Sequence, residues 1–100
     1  MEHGKDMILK NTQTTFTASF GVSRVGKAVT VSVLDSSGNV MGSGYVAGSV
    51  IELSDGVYGC AITFTSAFAG YVRFANTTDS LEVYNPITVV DDYTEDITSI

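Results

Sequence analysis

The sequence of 100 residues holds little of the chemistry that enzymes use: it has one histidine, one cysteine and one proline, and no tryptophan. The single cysteine, Cys60, excludes an internal disulfide, and with one histidine it cannot supply the several ligands of a zinc site. His3 stands in a polar terminal stretch, where nothing predicts the rigid setting of a catalytic triad. We therefore expect no catalytic residues, no cofactor and no metal, and a protein that is not an enzyme.

Charge is also scarce, and positive charge most of all. Five Lys and Arg residues are scattered over the chain against eleven Asp and Glu, which gives a net charge of −6. Because no basic stripe is present, we expect neither a nucleic-acid partner nor an anionic membrane surface. No apolar run approaches the roughly 20 residues that span a bilayer.

The surface is expected to be nearly neutral. Charged residues make up 16% of the chain, below the ~25% of ordinary domains. Ser, Thr, Asn and Gly stand where Lys and Glu are common. A weakly charged, Thr-rich surface is typical of a subunit packed against others. Outward positions of β-sheets also favour Thr, so both interpretations stay open.

Residues 57–64 carry the strongest pattern in the chain. They follow an Asp-Gly turn signal, and Tyr58, Cys60, Ile62 and Phe64 occupy every second position, which places them on one face of a strand. Similar alternations end in turn residues along most of the sequence, as in a β-sandwich. We predict an all-β domain of seven or eight strands over residues 7–90, a flexible N-terminal segment at 1–6 and an acidic tail at 91–100.

The same alternation predicts a core and one pairing register. A hairpin between residues 71–74 and 81–84 would place apolar side chains opposite each other on the inner face. Its predicted pairs are Phe74–Leu81 and Val72–Val83 on the inner face, and Arg73–Glu82 and Tyr71–Tyr84 on the outer face. The predicted core comprises Phe16, Phe20, Val29, Val31, Val33, Ile51, Leu53, Tyr58, Cys60, Ile62, Phe64, Val72, Phe74, Leu81 and Val83.

Two groups of residues are candidates for partner binding. Tyr71, Arg73 and Tyr84 share the outer face of the predicted hairpin, and Tyr and Arg are enriched in interface hot spots. The same residues would also stabilise the sheet through ordinary cross-strand pairs, and both interpretations stay open.

The second group lies in the acidic tail, where Tyr93, Ile97 and Ile100 are predicted anchors for a neighbouring sheet edge. A frayed end is the alternative. Calcium is not favoured there, because the tail lacks the glycine that commonly bends a calcium loop.

The stretch Asp55-Gly56-Val57-Tyr58-Gly59-Cys60 resembles the Asp-x-Gly/Ala-x-Tyr-x-Cys stretch of immunoglobulin domains, one residue shorter. The resemblance implies an immunoglobulin-like antiparallel β-sandwich, with a tyrosine corner in which the Tyr58 hydroxyl bonds backbone near the turn. The chain departs from immunoglobulin domains because it has no second cysteine and no tryptophan. The match therefore supports the fold and carries nothing about antibody-type function.

The arrangement of the chain is also similar to short bacteriophage proteins, which look like immunoglobulin-like modules of heads, necks, tails or fibres. The similarity covers most of the chain, although its motifs are generic. The stretches that carry it are Ile8-Leu9-Lys10-Asn11-Thr12, Val31-Ser32-Val33-Leu34-Asp35, Gly38-Asn39-Val40, Glu52-Leu53-Ser54-Asp55-Gly56-Val57-Tyr58, Thr63-Phe64, Gly70-Tyr71 and Val89-Val90-Asp91-Asp92-Tyr93.

This resemblance implies a non-enzymatic bacteriophage virion structural protein, either a head decoration or a neck or tail accessory subunit. It would bind other virion proteins, such as capsid or tail subunits, through sheet faces, edges and tails. We expect a homo-oligomer or several copies per assembly, synthesis in the host cytoplasm and a final place in the virion. The alternative is a recognition module for host-surface carbohydrate or protein, which predicts an exposed aromatic platform that includes Tyr45 and Phe68.

Overall fold

The computed structural model describes residues 7–91, which form two packed β-sheets without a helix. The predicted all-β sandwich is confirmed. Its eight strands are β1 (Met7–Leu9), β2 (Gln13–Ser19), β3 (Val29–Asp35), β4 (Tyr45–Ala47), β5 (Ile51–Ser54), β6 (Val57–Phe64), β7 (Phe68–Asn76) and β8 (Leu81–Val90).

The strand order is that of an immunoglobulin-like sandwich. Sheet one has the order β1-β8-β7-β3, and sheet two has the order β2-β6-β4, with β5 also paired to β6. The orders β3-β7-β8 and β2-β6-β5 correspond to strands C-F-G and B-E-D of immunoglobulin domains. The strand pairs of the sandwich are antiparallel except one, because β1 pairs with β8 in parallel.

Alternation along the strands builds the core between the sheets. In sheet two, Phe16 lies opposite Cys60 and Ala18 lies opposite Tyr58, and all four side chains are buried. In sheet one, Val33 lies opposite Val72 in the same way. Phe64 joins the layers, and its ring meets the edge of Phe16 at a centroid distance of 6.0 Å. Val29, Val31 and Val83 are partly buried against this cluster.

Three residues of the predicted core lie outside it. Ile51 is 60% exposed, Leu53 is 54% exposed and Leu81 is 36% exposed. Ile51 and Leu53 are exposed because their side of β5 faces away from the core. Ile51 pairs with outward-facing Gly59, while Glu52 pairs with Tyr58. The two Glu52 carboxylate oxygens accept hydrogen bonds from the backbone N–H groups of Gly26 and Gly56, at 3.0 and 3.1 Å, so Ile51 and Leu53 face outward.

The β7–β8 register differs from the predicted one by two residues. Phe74 lies opposite Val83, Arg73 opposite Tyr84, and the pairing continues to Asn76 and Leu81. A two-residue shift keeps every side chain on its face, so apolar alternation cannot distinguish the two registers. The turn decides instead. Buried Asn76 donates to the Asp79 carboxylate at 2.9 Å and accepts from the Asp79 backbone N–H at 3.1 Å, which ends the hairpin with four loop residues.

Two further features concern the ends of the core and the edge of sheet one. The connection between β6 and β7 is short, because β7 begins at Phe68, whose ring packs on Phe64 at 5.5 Å. Pro86 lies within β8. It pairs with Tyr71 on one side, and β1 reaches only as far as Thr88 on the other. Pro86 therefore stands at an open edge position, where a missing N–H costs no ladder hydrogen bond.

Candidate interaction surface

The structure brings Tyr71, Arg73 and Tyr84 together on the outer face of sheet one, as predicted. The two tyrosine rings meet edge to face with a centroid distance of 6.3 Å. They are diagonal neighbours rather than direct partners, because Arg73 takes the place opposite Tyr84. The predicted cross-strand pair Arg73–Glu82 does not form in this register, since Ala75 lies opposite Glu82.

The polar groups of this surface bind one another. Arg73 donates through Nη2 to the Ser32 hydroxyl at 3.2 Å, and the Tyr84 hydroxyl donates to the Glu82 carboxylate at 2.7 Å. Arg73 Nε is buried without a hydrogen-bond partner. Most of the groups that a partner would use are therefore occupied within the sheet, and the geometry favours a stabilising role for these residues.

The remaining predicted anchors, Tyr93, Ile97 and Ile100, lie outside the described residues. The chain is followed to Asp91, whose carboxylate pairs with the Lys10 ammonium at 2.9 Å. The Lys10 backbone N–H also donates to the Val90 carbonyl at 2.9 Å. These contacts join the ends of β1 and β8, so they fix the point from which the acidic tail departs.

The outer face of sheet two has a different composition, and we call it the neutral face. Its outward residues follow from the pairing of β2, β4 and β5 with β6. None of them is Asp, Glu, Lys or Arg, and none is aromatic. They are Gln13, Thr15, Thr17, Ser19, Val46, Ile51, Leu53, Val57, Gly59, Ala61 and Thr63.

Large apolar side chains concentrate along one side of the neutral face. Val46 on β4 is 67% exposed, and Ile51 and Leu53 on β5 are also more than half exposed. Leu53 leans over Gly59, where a Cβ would lie 2.7 Å from the Leu53 Cδ1 atom. Sequence reasoning missed this surface, because it placed Ile51 and Leu53 in the core. The uncharged alternation Thr15-x-Thr17-x-Ser19 was the one signal of a neutral outer layer.

The Tyr58 side chain binds the loop between β2 and β3 rather than the Asp55-Gly56 turn that precedes it in the chain. Its hydroxyl donates to the Arg24 carbonyl at 2.6 Å and accepts from the Lys27 backbone N–H at 3.0 Å. Both partners lie in the loop between β2 and β3, so the expected bond near the Asp55-Gly56 turn was wrong. The motif is also on β6, which corresponds to strand E, whereas immunoglobulin domains carry it on strand F.

The aromatic platform expected of a recognition module is not formed by Tyr45 and Phe68. Tyr45 is half-buried, lies 6.5 Å from the Phe64 ring, and donates its hydroxyl to the Met41 carbonyl at 3.2 Å. Phe68 is half-buried against the same ring. Both side chains therefore close the end of the core instead of presenting their faces to solvent.

Chemistry within the described residues is limited. Cys60 is 2% exposed, its thiol donates to the Gly48 carbonyl at 3.3 Å, and burial raises the pKa of the thiol, which disfavours the reactive thiolate. Residues 7–91 contain no cluster of acidic, histidine or cysteine side chains that could hold a metal ion. A groove of about 470 Å³ lies between β1, β2 and β8, and none of its described lining residues is ionisable.

Similarity to known proteins does not extend these observations: no family model, curated protein or solved structure matches the chain. Within residues 7–91, no helix is long and apolar enough to cross a membrane. The surface geometry therefore stands as the main guide to function.

Proposed function

We propose that the protein is a non-enzymatic structural subunit of a bacteriophage particle that binds other particle subunits through the surface of its β-sandwich. The assignment to a phage particle rests on the resemblance of its sequence pattern to short virion proteins. The structure supplies a surface on which such contacts can form. Head, neck and tail are equally compatible with this proposal.

The neutral face is the observation that carries the proposal. A surface that must stay in water gains solubility from charge, yet this face has none among the residues that define it. It also exposes Ile51 and Leu53, which are neighbours on the outer side of β5, and Val46 farther along the same side of β6. Depletion of charge and exposure of contiguous apolar side chains mark protein contact surfaces. A partner that covers this face would remove apolar surface from water without stranding a charge.

Recognition of a host-surface glycan is less well supported. Such sites commonly present the flat face of an aromatic ring, and the aromatic residues proposed for that role pack on Phe64. The neutral face itself carries no aromatic ring. We therefore place subunit contact ahead of recognition.

The test is the composition of purified particles. We expect mass spectrometry of particles from cells that carry the gene to find this chain in stoichiometric amount, and a gene deletion to leave particles that lack it. Particles that never contain the chain would overturn the proposal. A glycan-array signal from a chain absent from particles would favour the recognition module instead.

A further inference from the structure

We infer that the neutral face binds the same face of a second copy of this chain, and so forms a weak two-fold symmetric dimer. The inference deepens the proposed function by naming the first partner of the contact surface. It rests on the charge distribution, the relief of the face and its size.

Charge favours a second copy at this face over contact between copies elsewhere. The chain carries a net charge of −6, and within residues 7–91 no Asp, Glu, Lys or Arg lies on the neutral face. Two copies that meet through most other surfaces bring acidic groups together. Two neutral faces instead meet without placing like charges in contact and without burying an ion. The face is therefore electrostatically compatible with itself, as a two-fold interface requires.

The relief of the face is also self-complementary. Val46, Ile51 and Leu53 form a ridge along β4 and β5, while β2 and β6 form a lower strip. In the middle of that strip Ala61 lies opposite Thr15 and Gly59 lies opposite Thr17, so the side chains there are short. A two-fold axis that lies in the interface and runs parallel to β6 along the middle of the face places the ridge of each copy over the strip of the other. Apolar side chains then cover threonine methyl groups and Ala61.

The size of the face sets the expected strength. Strands of seven and eight residues, β2 and β6, give a length of about 25 Å at about 3.3 Å per residue. Three strand positions about 4.8 Å apart give a width of about 15 Å. The footprint is roughly 400 Å² per copy, about half of the ~800 Å² per partner that stable complexes bury. We therefore expect a dimer with a dissociation constant on the order of 100 µM, which the high local concentration of an assembly would populate.

Sedimentation equilibrium of the full chain tests the inference. We expect the average mass to rise from one chain toward two between about 10 µM and about 1 mM, and to rise further with added salt, because salt screens the repulsion between acidic copies. Ile51→Glu should abolish the rise. Val40→Glu is the matched control, since Val40 is 63% exposed off the neutral face and the charge change is the same. The control should associate as the natural chain does.

A mixing experiment separates a face-to-face dimer from a general loss of solubility or folding. Ile51 and Thr17 lie in one row on either side of Gly59, so in the proposed dimer Ile51 of one copy lies over Thr17 of the other. Ile51→Glu and Thr17→Lys copies should each be monomeric, and their mixture should form a mixed dimer. Circular dichroism of each variant should show the strand content of the natural chain. Folded variants that associate as well as the natural chain, or a natural chain that stays monomeric at about 1 mM, would overturn the inference.

The two proposals fail in different ways. If the natural chain is monomeric but Ile51→Glu is lost from particles while Val40→Glu is retained, the face binds a different subunit. In that case the inference is wrong and the proposed function stands. If the dimer forms but purified particles lack the chain, the proposed function is wrong and the inference stands.

Discussion

On the outer face of sheet one the side chains bind one another, whereas on the neutral face of sheet two they meet solvent. Arg73 binds Ser32, Tyr84 binds Glu82, and the Tyr71 and Tyr84 rings touch. Val46 and Ile51 have no comparable cover. An aromatic, charged surface is therefore not by itself a contact surface. What distinguishes a surface available to a partner is whether its side chains are already engaged.

The difference predicts separate consequences for mutation. Substitutions on the outer face of sheet one should lower the free energy of unfolding, because they break contacts within the fold. Changes on the neutral face should leave the free energy of unfolding nearly unchanged and alter association. The following predictions are arranged from the largest expected effect to the smallest.

Phe64→Ala should have the largest effect on the free energy of unfolding, because the Phe64 ring lies in the core on which both sheets pack. The ring is fully buried and contacts Phe16, Tyr45 and Phe68. We expect the free energy of unfolding to fall by about 3–5 kcal/mol in denaturant melts. Val46→Ala, on the exposed ridge, should cost less than about 1 kcal/mol. A loss of unfolding free energy below about 1 kcal/mol for Phe64→Ala would contradict the placement of Phe64 in the core.

Tyr58→Phe and Tyr84→Phe each remove one tyrosine hydroxyl, the first from sheet two and the second from sheet one. The Tyr58 hydroxyl makes two hydrogen bonds to backbone groups of Arg24 and Lys27, which lose their partner in the variant. We expect a loss of about 1–3 kcal/mol in thermal or denaturant unfolding. Tyr84 is 46% exposed, so water replaces its bond to Glu82 and the loss should be below about 0.5 kcal/mol. Equal losses in the two variants would contradict this assignment.

Tyr71 and Tyr84 provide a direct measure of how strongly sheet one engages its own outer residues. A double-mutant cycle with Tyr71→Ala and Tyr84→Ala should give a coupling energy of about 0.5–1 kcal/mol for the edge-to-face pair. All three variants should sediment as the natural chain does. If either single variant weakens association while the coupling is near zero, these residues bind a partner, and the contrast between the faces is lost.

Cys60 should give the smallest effect, and one that depends on pH. Burial raises the pKa of the thiol, so the folded chain holds the proton more tightly than the unfolded chain. The stability from this group is complete below the pH at which an exposed thiol titrates, and falls as the pH rises through the raised pKa. Relative to Cys60→Ala, the natural chain should therefore lose stability between about pH 7 and pH 10. A constant difference in denaturant midpoint would contradict the burial effect.

Alternation was sufficient for much of the fold because it reports which residues share a face. It identified the buried side of β6 and the inward residues Val33, Val72 and Phe74. It could not choose between registers two residues apart, which Asn76 and Asp79 decide through a turn. The parallel β1–β8 pair joins the two ends of the described chain, and no local pattern predicts it.

The contact surface was harder to predict for the same reason. In Ile51-Glu52-Leu53 the alternation is clear, but it does not say which side faces the core. The apolar side would ordinarily be chosen. Here the Glu52 carboxylate accepts hydrogen bonds from the backbone N–H of Gly56, in the turn that follows β5, and from that of Gly26, which is 26 residues away in the chain. Glu52 therefore faces inward, and Ile51 and Leu53 face outward. Only the three-dimensional position of Gly26 and Gly56 makes that contact possible, so the exposed ridge becomes visible only in the structure.

Hydroxyl-radical labelling of the free chain and of the purified particle compares the two faces in one measurement. The readout is the oxidation of Ile51 and Leu53 on the neutral face against that of Tyr84 on sheet one, which serves as the internal control. We expect Ile51 and Leu53 to be protected in the particle while Tyr84 labels as in the free chain. Equal labelling of the neutral face in both states, or protection confined to Tyr84, would contradict a role for this face in assembly.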